Sequence, residues 1–178
     1  MLGPPASGKG TQGKRLAKAL RVPHVAAGTL LRRSIEEGDP YEIREKVENG
    51  ELVLDEVVEE LLAPALDSSF VLDGYPRTAK QAARLDALLA RLSLPLDVAV
   101  ELDADDATLV ARMMLRAEEE KRSDDRPDVF LKRLEDYREE AGRLREHYGD
   151  RLVIVNGDGS EEEVFERLRA ALEQRVSA

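Results

Sequence analysis

Nine residues near the start of the chain have the types and spacing of a phosphate cradle. Gly3-Pro4-Pro5-Ala6-Ser7-Gly8-Lys9-Gly10-Thr11 sets four residues between one glycine and a Gly-Lys pair. Such a loop works by turning consecutive backbone N–H groups inward, and only small residues let the backbone approach phosphate oxygens that closely. A helix starting at Lys9 aims its N-terminus, roughly half a positive charge, at the same point. Lys9 adds a mobile full charge for the transferring phosphate. Thr11 can place a hydroxyl on Mg²⁺. The bland alternative is a flexible Gly/Pro loop. The strict pattern has Ser or Thr directly after the lysine; here Gly10 intervenes.

A second cluster is Leu72-Asp73-Gly74-Tyr75-Pro76-Arg77-Thr78, with Gln81 shortly after it. Asp73 ends a short apolar run, where a carboxylate facing the phosphate loop can hold a Mg²⁺-bound water; structural capping is its other reading. Arg112, Arg116, Arg122 and Arg133 follow on helical segments. Phosphoryl transfer asks a protein for alignment and for charge on the equatorial oxygens. Arginine forks suit that, being always charged and bidentate toward phosphate. Each arginine taken alone also reads as part of a solvated helix face.

The elements that must position these groups alternate. Helices are expected at 9–20, 28–37, 41–48, 55–66, 79–92 and 161–176, with a long helical stretch after residue 102 interrupted at 118–125. Strands are expected at 24–27, 70–72, 98–102 and 152–155. Strand followed by helix, repeated, implies a parallel sheet with helices on both faces and a ligand at the carboxyl ends of the strands.

The bulk numbers fit one domain. The chain has 178 residues, 42% hydrophobic, 36% charged, with net charge -10. That charge disfavours nucleic acid and anionic lipid as partners. The chain has no cysteine, which excludes disulfides and a thiolate zinc site. His24 and His147 have no partner at metal-ligand spacing and read as surface or interface residues. No apolar run approaches the roughly 20 residues that span a bilayer, and no signal peptide is visible, so the expected location is the cytoplasm.

Together, Gly8-Lys9-Gly10-Thr11-Gln12 and Asp73-Gly74-Tyr75-Pro76-Arg77 with Gln81 resemble the adenylate kinase family of nucleoside monophosphate kinases, over about residues 3–165. The resemblance implies an α/β P-loop fold with about five parallel strands, a single domain over 1–178, a monophosphate-binding segment at 26–53 and a short lid at 116–125. It implies ATP and AMP as ligands, Mg²⁺ entering with ATP, no zinc, and a monomer. Ala6 to Thr11, Arg112, Arg116 and Gly159 would bind ATP, with Arg112 on the base and Gly159 touching adenine through its backbone. Ala27, Arg32, Glu51, Leu52, Val53, Gly74, Tyr75, Pro76, Arg77 and Gln81 would form the AMP site, with Arg32 and Arg77 on its phosphate and Gln81 on the adenine edge. Arg122 and Arg133 would clamp both nucleotides. The reacting centre would be Lys9, Asp73, Arg77, Arg116, Arg122 and Arg133, with Thr11 and Asp73 serving the metal, Asp73 through water.

Three departures qualify this. Ala27 stands where the family has threonine, a feature shared with UMP/CMP kinases, whereas Gln81 favours AMP because an amide both donates to and accepts from adenine. Thr29 replaces an acidic residue. Only Met1-Leu2 precede the phosphate loop, where a central strand is expected. Several apolar side chains, each worth about 1.5–3 kcal/mol buried, would then be missing. The expectation is a shortened chain of low stability or weak activity, melting no higher than about 60 °C.

Overall fold

The fold was obtained as a computed structural model, and it describes residues 1–120 and 126–176. Its strands are β1 (His24–Ala26), β2 (Val71–Asp73), β3 (Ala99–Asp103) and β4 (Leu152–Asn156). Its helices are α1 (Lys9–Leu20), α2 (Ala27–Glu36), α3 (Arg44–Glu48), α4 (Asp55–Leu62), α5 (Ala79–Arg91), α6 (Asp106–Glu120), α7 (Pro127–Tyr148) and α8 (Glu161–Val176).

β1 pairs with β2 and β3 with β4, both parallel. What joins the two pairs is Met1-Leu2. The Met1 amino group donates to Leu72 O at 2.6 Å. Leu2 N donates to Val100 O at 2.6 Å, and Leu102 N donates to Leu2 O at 2.9 Å. Leu2 thus bridges to Glu101 where a fifth strand was expected. The central position is occupied, but by two residues.

Side-chain alternation along β3 shows how the layers form. Val100 and Leu102 point to a core shared with Leu16 of α1 and with Val164, Phe165 and Leu168 of α8. Ala99 points the other way, to a core with Leu2, Ala82 of α5 and Leu144 and Tyr148 of α7. Helices therefore cover both faces, as the alternating pattern implied. Glu101 points to the α7 face and is 2% exposed. A buried carboxylate is costly unless it is fully bonded. Here Tyr137 Oη donates to it at 2.5 Å, and Arg145 donates through Nε and Nη2 at 2.8 and 2.7 Å. That network fastens α7 to the sheet.

The segment from α2 to α4 carries its own apolar stripe. Leu31, Ile35, Ile43, Val53, Val58 and Leu62 pack against Leu85, Leu88 and Leu89 of α5. Two helices are shorter than their apolar spacing suggested. The Asp39 carboxylate accepts from the Ile43 and Arg44 N–H groups, which delays the start of α3. Pro64 converts the end of the 55–66 segment into a short 3₁₀ turn over Ala63–Ala65. The second half of the expected lid, 121–125, lies outside the described residues.

Candidate active site

The carboxyl ends of β1, β2 and β4, the phosphate loop and the starts of α1 and α2 surround a cleft of about 660 Å³. The phosphate loop is bent by three left-handed positions, Gly3 (φ 134), Ala6 (φ 63) and Gly8 (φ 93). Gly3 has no alternative: a Cβ there would lie 2.4 Å from Leu102 O. Gly8 caps α1, so the first N–H groups of that helix open onto the cleft. Lys9 Nζ donates to Pro4 O at 2.6 Å, folding the lysine back over its own loop.

The cleft brings together nearly all the residues singled out from sequence. Ala6, Ser7, Gly8, Lys9, Gly10 and Thr11 line one side, with Arg112, Arg116 and Gly159. Ala27, Arg32, Glu51, Leu52, Val53, Gly74, Tyr75, Arg77 and Gln81 line the other, with Asp73 and Arg133 between. Pro76 is buried and is not among the lining residues. Arg122 lies outside the described residues.

Several placements are chemically specific. Arg112 donates from Nη2 to Gly159 O at 2.8 Å and from Nη1 to Ser7 O at 3.4 Å, joining two loops across the cleft mouth. The Arg32 guanidinium lies near Gly28, 3.4 Å from where a Cβ would sit. A Cβ on Gly74 (φ 81) would lie 3.7 Å from Gly28 N. Gly50 (φ 69) touches α7 so tightly that a Cβ would lie 2.6 Å from Val129 Cγ1 and 2.9 Å from Arg133 Cδ. Lys132 Nζ pairs with Glu51 Oε1 at 3.3 Å beside it.

Charge is concentrated against the trend of the whole chain. Seven Lys and Arg side chains line the cleft, against three Asp and Glu. Burial pushes the Lys9 amine down to about 7; Asp73 opposes this, and Arg133, Arg77 and Arg116 reinforce it. Burial likewise lowers the Met1 amine to about 6, with Asp73 again opposing.

Mg²⁺ suits the oxygen groups present. The Asp73 carboxylate faces the first turn of α1, 3.4 Å from a Cβ placed on Gly10, so the glycine keeps that space open. Thr11 lines the same cleft. Among the described residues no cluster of three His, Cys, Asp or Glu could cage a metal. A dication held here would have to take most of its oxygens from nucleotide and water, as Mg²⁺ readily does.

Among the cleft residues that were not anticipated are His24 and Lys14. His24 lines the cleft with Nε2 3.9 Å from Asp73 Oδ2, and burial lowers its pKa. Lys14 lines it one turn beyond the phosphate loop. A periodicity argument on α1, placing Lys14 one turn after Gly10 and Thr11, was the signal available for the second. His147 instead pairs with Asp86 at 3.0 Å, away from the cleft.

Comparison with known proteins agrees with this geometry. The family profile described as "Adenylate kinase" matches residues 1–153. Adenylate kinase 1 of Nostoc sp. is 41% identical over 180 residues, covering 96% of each chain. The adenylate kinases of Xanthomonas campestris pv. campestris and Xanthomonas oryzae pv. oryzae are each 41% identical over 181 residues, covering 97% of each chain. A phosphate loop, an arginine-lined cleft at the strand ends and matches of this length lead to one assignment: the chain belongs to the adenylate kinase family.

Proposed function

We propose that the protein is an ATP:AMP phosphotransferase that reversibly converts ATP and AMP into two ADP. The observation that carries this is the setting of Lys9. Its amine is buried in a cleft with Arg77, Arg116 and Arg133 near enough to disfavour its charge, and Asp73 alone among its named neighbours favours it. Several cations gathered around one buried amine are what a polyphosphate neutralises, and they hold charge where it spreads in the transition state.

In this reading the phosphate loop and Lys9 hold the ATP phosphates, and Arg112 and the Gly159 backbone flank its base. Arg32 and Arg77 hold the AMP phosphate, Glu51 to Val53 and Tyr75 flank the nucleoside, and Gln81 addresses the base. Arg116, Arg133 and Arg122 align the transferring group. Mg²⁺ enters with ATP, partly neutralises its phosphates, and is met by Thr11 and, through water, by Asp73. Family relatives named adenylate kinase support AMP as acceptor. Burial of the junction between nucleotides excludes water and favours transfer over hydrolysis, as the handling of lids in this enzyme class illustrates. The reading includes a monomer in the cytoplasm; among the described residues no helix is long and apolar enough to cross a membrane.

The test is ADP formation from MgATP with AMP, CMP or UMP as acceptor. Strong preference for AMP supports the reading. Preference for CMP or UMP makes Ala27 the better guide and rejects it.

A further inference from the structure

Gln81 is buried, 3% exposed, yet lines the cleft. Both ends of its amide are already engaged. The Arg77 N–H donates to Oε1 at 2.8 Å, and Nε2 donates to Asp55 Oδ1 at 2.9 Å. Its backbone N–H donates to Thr78 Oγ1 at 3.2 Å, fixing the first turn of α5.

These partners differ in kind, and that fixes the direction of the amide. Reversal would set Oε1 against a carboxylate and the NH₂ against an N–H, opposing like with like at both ends. A primary amide has two N–H donors and two acceptor positions. One of each is used, so one N–H and one lone pair remain, in a fixed order.

Asp55 is suited to hold that order. It opens α4, two residues past Val53, and its side chain is 13% exposed. Lys80 Nζ lies 3.2 Å and Arg84 Nε 4.0 Å from Oδ2, so the cations gather on that oxygen and leave Oδ1 to Gln81.

We propose that Asp55 is a positioning residue: by holding the Gln81 amide in one direction, it makes the acceptor site prefer an amino-bearing base edge, as in adenine, over an oxo-bearing edge, as in hypoxanthine. The amino edge offers a donor beside a ring acceptor; the oxo edge offers the reverse. An amide free to turn over would accept either. The proposal rests on the reading of Gln81 as the group that addresses the base.

The experiment compares AMP with inosine monophosphate as acceptor, by kcat/KM, in wild type, Asp55→Leu, Asp55→Ala, Asp55→Asn and Gln81→Ala, with a thermal melt of each. Leucine and alanine remove the acceptor, one with similar shape and one without. In whichever folds, the AMP preference falls by about 10-fold, the size set by one hydrogen bond, through KM for AMP rather than kcat. KM for ATP stays within about twofold. Asp55→Asn still offers an oxygen and stays within about threefold of wild type. A leucine or alanine variant with the wild-type preference overturns the proposal, and so does an asparagine variant that loses 10-fold. A mere loss of stability lowers the melt without moving the ratio. If Gln81→Ala leaves the preference intact, the reading of Gln81 fails; if only Asp55 variants do, the positioning role fails and that reading stands.

Discussion

Arg112 reaches across the cleft mouth to Gly159, donating from Nη2 to its carbonyl at 2.8 Å. The same guanidinium holds Ser7 O, so one side chain ties the phosphate loop to the turn before α8. Charge-assisted bonds of this kind contribute about 1.5–3 kcal/mol each. We predict that Arg112→Ala raises KM for ATP by about 10-fold or more while KM for AMP changes little. Equal increases in both would place Arg112 outside the ATP end of the cleft.

Lys9 stands at the centre of the cation cluster. We predict that Lys9→Met lowers kcat by roughly 10²–10³, the loss typical for one preorganised group facing developing charge. The fold should survive, because the substitution removes a charge that burial already disfavours. Steady-state rates alongside a melting curve check both halves. A variant retaining more than a tenth of wild-type kcat would remove Lys9 from the transfer step.

The lowered Lys9 pKa has a defined sign. In the free enzyme the amine loses its proton through about pH 7, whereas the unfolded value is 10.5. Between these limits the unfolded chain holds the extra proton, so the Lys9 contribution to stability rises with pH. Bound polyphosphate restores the proton. ATP binding at pH 8 should therefore take up protons and weaken as pH rises, with little uptake at pH 6. Calorimetry in two buffers of different ionisation enthalpy measures this; no uptake at pH 8 would refute it.

Gly50 abuts α7 with a positive φ and no room for a side chain. We predict that Gly50→Ala costs about 1–3 kcal/mol, from backbone strain and overpacking against Val129. It should also raise KM for AMP, because Glu51 to Val53 follow directly. Urea unfolding and KM together test this. An unchanged midpoint would mean that the segment and α7 do not meet in solution.

The short central strand makes Leu2 a keystone of the sheet, 5% exposed and bonded to β3 through both backbone groups. Leu2→Ala should cost about 2–4 kcal/mol, lowering Tm by roughly 5–10 °C. Differential scanning calorimetry of wild type and variant checks the shift, and an unchanged Tm would remove Leu2 from the sheet's support.

What could be read from the sequence was local. The phosphate loop, the Asp73 to Arg77 turn and the helix positions depend on neighbouring residues, and the structure brings their side chains to one cleft. The pairings that hold the site span long stretches of chain. Glu101 with Arg145, Gln81 with Asp55, and His24 beside Asp73 carry no signature in spacing. The late start of α3 was equally hidden, because it depends on which backbone groups the Asp39 carboxylate caps.

Helix α7 decides which jaw of the cleft can travel. Tyr137 and Arg145 bolt it to Glu101 inside the sheet, and Arg133 stands one turn before Tyr137. At 1.5 Å per residue, that is about 6 Å along the axis from the bolt. Arg133 is thus a post planted in the rigid body, not an arm swinging over it. If the space between Arg133 and Gly50 were to narrow or widen, the fixed side of it would be the α7 side, and the travel would fall to the chain around Gly50.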